Sequence, residues 1–158
     1  VSVVYGDDGI FSIKEDLRNI FNAQTINLVL ARHGIGVTDA TKAEKVTPYT
    51  TIWEATFLKR SFVRHPYAPS TVFMARMSWE TVEECAKWIH KNEMSPEEAS
   101  YENCYASLQL SFGWGEEKFE EWKAVLNSAL LKAGLRQLEI VWEDMCYMFF
   151  PELSMKQF

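Results

Sequence analysis

An α+β chain is predicted, strands first and helices after, and three observations carry that prediction. Near the start, two short apolar runs, residues 1–5 and 10–13, flank Gly6-Asp7-Asp8-Gly9. Runs of this length bounded by turn residues read as a strand pair. From Ser78 onward the apolar residues recur at helical spacing instead, as Val82, Cys85, Ala86 and Ile89 do at i, i+3, i+4 and i+7. Charge changes at the same place: residues 1–77 carry nine Lys/Arg against seven Asp/Glu, and residues 78–158 carry seven against fifteen. The chain thus divides into two segments, 1–77 and 78–158.

The opening hairpin rests on turn chemistry. Gly6 and Gly9 can take positive φ and Asp tolerates turn conformations, so Tyr5-Gly6-Asp7-Asp8-Gly9 is expected to place two carboxylates at a hairpin tip. Adjacent like charges are costly unless water or a cation compensates them. Next, Asp16 is a plausible N-cap, with Leu17, Ile20, Phe21, Leu28 and Ala31 on one helical face covering the sheet and Gly34 as the stop. Residues 35–37 then suit a returning strand. A polar loop, Thr38-Asp39-Ala40-Thr41-Lys42-Ala43-Glu44-Lys45, leads past Pro48. Residues 56–63 alternate around Lys59-Arg60, and a second strand over 71–75, beyond Pro66 and Pro69, would complete an irregular hairpin.

Helices fill the second segment. Ser95-Pro96-Glu97-Glu98 is a capping box with Pro at the first helical position. Behind it Tyr101, Cys104, Tyr105, Leu108 and Phe112 form one stripe, broken by Gly113-Trp114-Gly115. Phe119, Trp122, Leu126, Ala129, Leu130 and Ala133 mark the next helix, ending at Gly134, and a last one is expected over 138–149 before Pro151. Trp88, Trp114 and Trp122 read as core at this spacing, and Glu116, Glu117, Glu120 and Glu121 as a solvated face.

Composition bounds the function classes. With 47% hydrophobic and 14% aromatic residues the chain has the makings of a packed core. The formal charge of −6 by itself argues against nucleic acid, but its distribution points any such contact to the basic first segment. Cys85, Cys104 and Cys146 are widely spaced and odd in number, which suits buried free thiols in a reducing compartment better than disulfides or a zinc site. His33, His65 and His90 lack ligand spacing. No apolar run reaches transmembrane length, no signal peptide is visible, and an opening inside an apolar strand without Met is expected of a fragment.

Tyr5-Gly6-Asp7-Asp8 between two apolar strands resembles motif C of the RNA-dependent RNA polymerases of picornavirus-like positive-strand RNA viruses. The order of motifs downstream is similar too: Gly36-Val37-Thr38-Asp39-Ala40-Thr41-Lys42 resembles motif D, and Thr56-Phe57-Leu58-Lys59-Arg60-Ser61-Phe62, with Phe57-Leu58-Lys59-Arg60 as its core, resembles motif E. The helices as far as residue 126 resemble the thumb. One departure stands at Thr41, where the family often has an acidic residue before the motif D lysine. The resemblance implies the C-terminal part of a polymerase palm over 1–77 and an all-helical thumb over 78–158. Motifs A and B and the fingers would lie upstream in the same polyprotein, leaving the fragment inactive alone.

The implied chemistry is template-directed nucleotidyl transfer assisted by two divalent ions, Mg²⁺ or Mn²⁺, for which carboxylate oxygens are suited ligands. Asp7 is the expected direct ligand, and Asp8 would help through water or the second ion. Tyr5 and Gly6 would border the primer end, Gly6 leaving room for it. Lys42 would act on the leaving pyrophosphate as acid or fixed charge. Lys59 and Arg60, with Arg64 and His65 behind them, would hold the nascent strand by its phosphates, although strand alternation would put Lys59 and Arg60 on opposite faces. Implied partners are RNA template, nascent RNA and nucleoside triphosphates. The implied location is the host cytoplasm, at replication complexes on membranes. A reverse transcriptase, whose catalytic turn also carries Tyr-x-Asp-Asp, is the alternative in the same chemistry. A non-catalytic interaction module, docking through the acidic helical half, is the alternative outside it.

Overall fold

The computed structural model describes residues 2–68, 70, 72–88 and 94–151. Val1, Pro69, Thr71, Ile89 and His90 lie outside the described residues, as do residues 152–158. The chain forms two compact units, Val1–Ser61 and Phe62–Phe158.

In the first unit the opening hairpin forms, but its turn is tighter than expected and holds Asp7 alone of the two carboxylates. β1 (Ser2–Tyr5) pairs antiparallel with β2 (Asp8–Phe11), in the register Ser2 with Phe11, Val3 with Ile10, Val4 with Gly9 and Tyr5 with Asp8. The helix after it begins later than Asp16. Residues Glu15–Leu17 make only a 3-10 turn, and α1 (Ala23–Ala31) starts from Asn22. The Asn22 side chain accepts from the Gln24 and Thr25 N–H groups at 3.0 and 3.1 Å, and Thr25 Oγ1 accepts the Asn22 N–H at 2.9 Å. That reciprocal cap fixes the start, because it satisfies otherwise orphaned helix donors. Leu17, Ile20 and Phe21 therefore precede the helix and are exposed, and no residue of α1 is buried, so the expected covering face is not formed. Gly34 ends the helical segment at φ 75°, with the Ile35 N–H returning to the Leu30 carbonyl at 3.1 Å.

Residues 35–37 are not a strand. The Val37 N–H goes to the Asn27 side chain at 3.0 Å and is thereby withdrawn from any ladder. Further on, β3 (Thr56–Phe57) pairs antiparallel with the start of β4 (Arg60–Arg64), Thr56 with Ser61 and Phe57 with Arg60. This hairpin is shorter than the alternation over 56–63 suggested.

In the second unit the remainder of β4 lies beside β5 (Phe73–Arg76). β5 belongs with the helices, because it packs on the 3-10 turn Phe112–Trp114. This packing is why the compact units divide at Ser61, upstream of the change in charge and period near residue 77. A Cβ on Gly113 would stand 2.8 Å from the Ala75 carbonyl oxygen, so only glycine permits the approach.

α2 (Trp79–Lys87) is capped by Ser78, and α3 (Pro96–Ser111) by the Ser95–Glu98 box that the sequence announced. After these come α4 (Glu116–Lys132) and α5 (Trp142–Phe149), which closes the core. α5 starts after Leu138, not at it. Asn127 of α4 accepts the Leu138 N–H at 2.7 Å and donates to its carbonyl at 3.0 Å, holding that buried residue out of helical geometry.

The core centres on Trp142, Phe119, Leu108 and Met145, all fully buried, each stabilising the unit by about 2 kcal/mol through lost apolar surface. Phe112 stacks on Trp142 with ring centroids 5.0 Å apart. Trp114 and Trp122 are half-buried, and both meet Trp79 edge-on, at 5.6 and 5.5 Å. Trp88 is not core: it leaves the helical path at φ −103°, ψ 118° and is 66% exposed. Cys104 and Cys146 are buried and Cys85 half-buried, all three free, and burial pushes the Cys146 thiol up to about 12. Among the described residues no helix is long and apolar enough to cross a membrane.

Candidate active site

Tyr5, Gly6, Asp7, Asp8, Lys42, Lys59 and Arg60 all lie in the first unit, on two hairpins and one loop. The first turn is a two-residue loop, Gly6-Asp7, with left-handed φ (61°) only at its first position. That is the φ pattern of a II′ turn, which calls for Gly at that place. A Cβ on Gly6 would meet no protein atom within 4 Å, so what demands glycine here is backbone conformation and not crowding.

The two carboxylates are not equivalent. Asp7 sits in the loop, whereas Asp8 opens β2 opposite Tyr5 and is not part of the tip. Alternation puts Tyr5 and Asp8 on one face with Val3 and Ile10. Gly9 is an ordinary strand residue whose hydrogen faces the Phe11 ring; a Cβ there would stand 2.9 Å from Phe11 Cε2. Tyr5, Gly6, Asp7 and Asp8 are all exposed to solvent.

Lys42 lies on a loop organised by Asp39, a residue to which the motif pattern gives no role. Asp39 is buried, and Oδ1 of its carboxylate accepts the Thr41 N–H at 2.9 Å and the Thr41 hydroxyl at 2.7 Å. Its Oδ2 accepts the Thr47 N–H at 2.7 Å. These donors hold the Asp39 carboxyl well below the usual carboxylate range. The backbone carbonyl of Asp39 accepts the Lys42 N–H at 2.8 Å, and Lys42 itself is left-handed at φ 58°. Thr41, the departure from the usual acidic residue, is therefore a donor to the acid two positions earlier. The readable signal was Asp and Thr at turn spacing, the residues that bond their own backbone.

The third element is the turn Leu58-Lys59 between β3 and β4. Both residues have left-handed φ, 52° and 62°, the requirement of a I′ turn, normally met by Asn-Gly. Lys59 is exposed at the tip. Arg60 opens β4 half-buried, its Nη1 donating to the Leu58 carbonyl at 3.4 Å. The expectation that the two cations point to opposite faces of a strand fails, because Lys59 is in the turn. β2 and β3 are neighbours, which sets the two turns on adjoining hairpins of this unit.

His65 does not belong to the basic group. In the second unit it is fully buried against Tyr67, Trp142 and Phe150, its Nδ1 accepting the Tyr67 N–H at 3.2 Å, and burial lowers its pKa. Arg64, next to it in the chain, is exposed. Among the described residues no group of three or more His, Cys, Asp and Glu side chains could hold a metal ion. Asp7 and Asp8 contribute hard oxygen donors of the kind Mg²⁺ takes, without completing a coordination shell.

The chain is 35% identical over 150 residues to the genome polyprotein of Deformed wing virus, covering 93% of this chain and 5% of that polyprotein. It is 31% identical over 144 residues to the genome polyprotein of Rice tungro spherical virus (strain A), covering 90% of this chain and 4% of that one. The chain therefore spans about a twentieth of the polyproteins it matches. A Sicinivirus 3Dpol RNA dependent RNA polymerase superposes with a TM-score of 0.60 at 22% identity, over 83% of this chain and 26% of that one, a likeness of fold. The model of the viral RNA-dependent RNA polymerase family matches residues 1–127, a span that runs from the Asp7 turn through the Lys42 loop and the Leu58-Lys59 turn into α4, and the chain belongs to that family.

Proposed function

We propose that this chain is the motif C–D–E palm (residues 1–77) and thumb (residues 78–158) of an RNA-dependent RNA polymerase replicating a positive-strand RNA virus. The observation that carries the reading is the Gly6-Asp7 turn, which presents an exposed carboxylate at a hairpin tip, with a second on the adjoining strand residue. Template RNA, nascent RNA and nucleoside triphosphates would be the substrates. The rest of the palm and the fingers would come from the same polyprotein. Work would take place in host cytoplasm at membrane-associated replication complexes.

Divalent ions, when bound, would activate the attacking 3′-oxygen and hold the triphosphate. Asp7 would bind one directly, and Asp8, across from Tyr5, would assist through water or the second ion. Lys42 would hold a proton or a positive charge against the departing pyrophosphate. Lys59 would reach the phosphates of the nascent strand from the tip of its turn, while Arg60 braces the turn through the Leu58 carbonyl.

The test uses the full-length polymerase on a primed template. Asp7→Asn should abolish incorporation and remove the Mn²⁺- or Mg²⁺-dependent change in the protein, and Asp8→Asn should leave a reduced activity. Undiminished incorporation by Asp7→Asn would refute the catalytic reading. Robust incorporation by the 158-residue chain alone would instead overturn the fold reading, in which two carboxylates do not complete the site and the rest comes from elsewhere in the polyprotein.

A further inference from the structure

We propose that Asp39 is the positioning residue for Lys42, closing the loop so that the lysine ammonium is held at the departing pyrophosphate. This inference rests on the role given to Lys42 under the proposed function and goes further, because it assigns a function to a residue outside the motif lysine and the catalytic aspartates.

Three layers of geometry carry it. Asp39 is buried in a loop whose neighbours are exposed, and it commits both carboxylate oxygens to the loop itself, to Thr41 on one side and Thr47 on the other. The chain between Asp39 and Thr47 is thereby a closed ring with Lys42 on it. Second, the ring is anchored. The Pro48 carbonyl accepts the Ala23 N–H at 2.9 Å and the Val46 carbonyl accepts Gln24 Nε2 at 2.9 Å, tying its far side to the first turn of α1. Third, the ring dictates the backbone of Lys42. Its N–H is taken by the Asp39 carbonyl at 2.8 Å and its φ is 58°, a conformation non-glycine residues adopt only when their surroundings impose it. The direction in which Lys42 leaves the backbone is therefore set by Asp39. An acid or fixed charge works only when aimed, and a small misplacement costs about as much as a hundredfold in rate.

A loop staple without a catalytic consequence is the competing account, and the two part on one measurement. Single-nucleotide incorporation is followed on assembled elongation complexes of the full-length polymerase, so that only folded enzyme is counted, for Lys42→Ala, Asp39→Ala, Asp39→Asn and the Asp39→Ala/Lys42→Ala pair. Lys42→Ala should lower kcat by roughly 10²–10⁴. Asp39→Ala should lower kcat by roughly ten- to a hundredfold with KM for the nucleotide little changed, and Asp39→Asn, which keeps one acceptor oxygen, should fall between. The double variant should be no slower than Lys42→Ala, because once the lysine is gone there is nothing left to aim. Asp39→Ala at the wild-type rate, or the same extra loss in the Lys42→Ala background, overturns the proposal while leaving the role of Lys42 intact. Lys42→Ala at the wild-type rate overturns that role, and the proposal with it. If Asp39→Ala complexes do not assemble, Asp39→Asn with and without Lys42→Ala makes the same comparison.

Discussion

Leu58 and Lys59 stand side by side at left-handed φ, 52° and 62°, with neither residue suited to it. A left-handed residue with a Cβ costs on the order of 1–2 kcal/mol, and two in succession form the one hairpin turn that Asn-Gly would make without strain. The strain is tolerated where the turn must present Lys59 outward and where Arg60 can brace the Leu58 carbonyl from the strand side. A strained turn that carries the cation of the proposed RNA-holding hairpin is a place where stability and function pull apart.

Replacing Leu58 and Lys59 by Asn and Gly should therefore stabilise the chain and impair the enzyme. Urea denaturation of the 158-residue chain should show a higher midpoint at unchanged slope. In the full-length polymerase, the same pair should dissociate faster from a primed template, and the loss should shrink as salt screens the phosphate contact. A lower midpoint would mean that the Leu58 side chain has a packing role outweighing the backbone strain.

Gly113→Ala should destabilise the second unit by about 1–3 kcal/mol, the usual cost of overpacking. The added methyl would meet backbone: the Ala75 carbonyl oxygen at 2.8 Å and Arg76 Cα at 3.1 Å. β5 or the Phe112–Trp114 turn would have to move. Gly36→Ala is the control, since a Cβ there meets nothing within 4 Å and φ is not positive. It should be neutral or slightly stabilising, by about 0.4–1 kcal/mol, through the unfolded chain. Equal effects of the two substitutions in a denaturant titration would count against the close approach.

What could be read from the sequence was what local chemistry decides. The opening hairpin and the Ser95–Glu98 cap depend on residues within four positions of each other, and both formed, the hairpin with Asp8 in the strand and not at the tip. What could not be read depended on competition from elsewhere in the chain. Leu138 has the period of a helix but loses both backbone groups to Asn127, and residues 35–37 have the composition of a strand but lose a donor to Asn27. α1 starts at Asn22 because its side chain is bonded on both sides, to Arg18 and to Thr25, which no propensity at Asp16 could outbid. In the candidate site the order of the motifs pointed to the family, whereas the Asp39 staple was hidden in a polar loop, since it is closed by the Thr47 N–H eight residues on. The Leu58-Lys59 turn was illegible for the opposite reason: its residues argue against the conformation they adopt.

His65 makes the stability of the second unit depend on pH in a defined direction. Its ring is buried against Tyr67, Trp142 and Phe150, and burial lowers its pKa from 6.5. Well above pH 6.5 the imidazole is neutral in both the folded and the unfolded chain, so it adds no slope. Below pH 6.5 the unfolded chain takes up a proton that the folded one refuses, and stability falls as pH drops towards the folded value. Asp39 and Glu54, whose carboxyls are both held below their ordinary values of 3.8 and 4.5 by hydrogen bonds, lose their contribution only at lower pH. The interval from about pH 6.5 to 5 therefore lies above the range in which these two carboxyls lose their contribution. Urea midpoints should be level from about pH 8 to 7.5 and decline through 6.5 to about pH 5. His65→Phe keeps an aromatic ring in the cluster and removes the titration. It should lower every midpoint by a similar amount, about 1 kcal/mol for the lost acceptor of the Tyr67 N–H, while flattening the decline. A decline of the same steepness in His65→Phe would place the titrating group elsewhere.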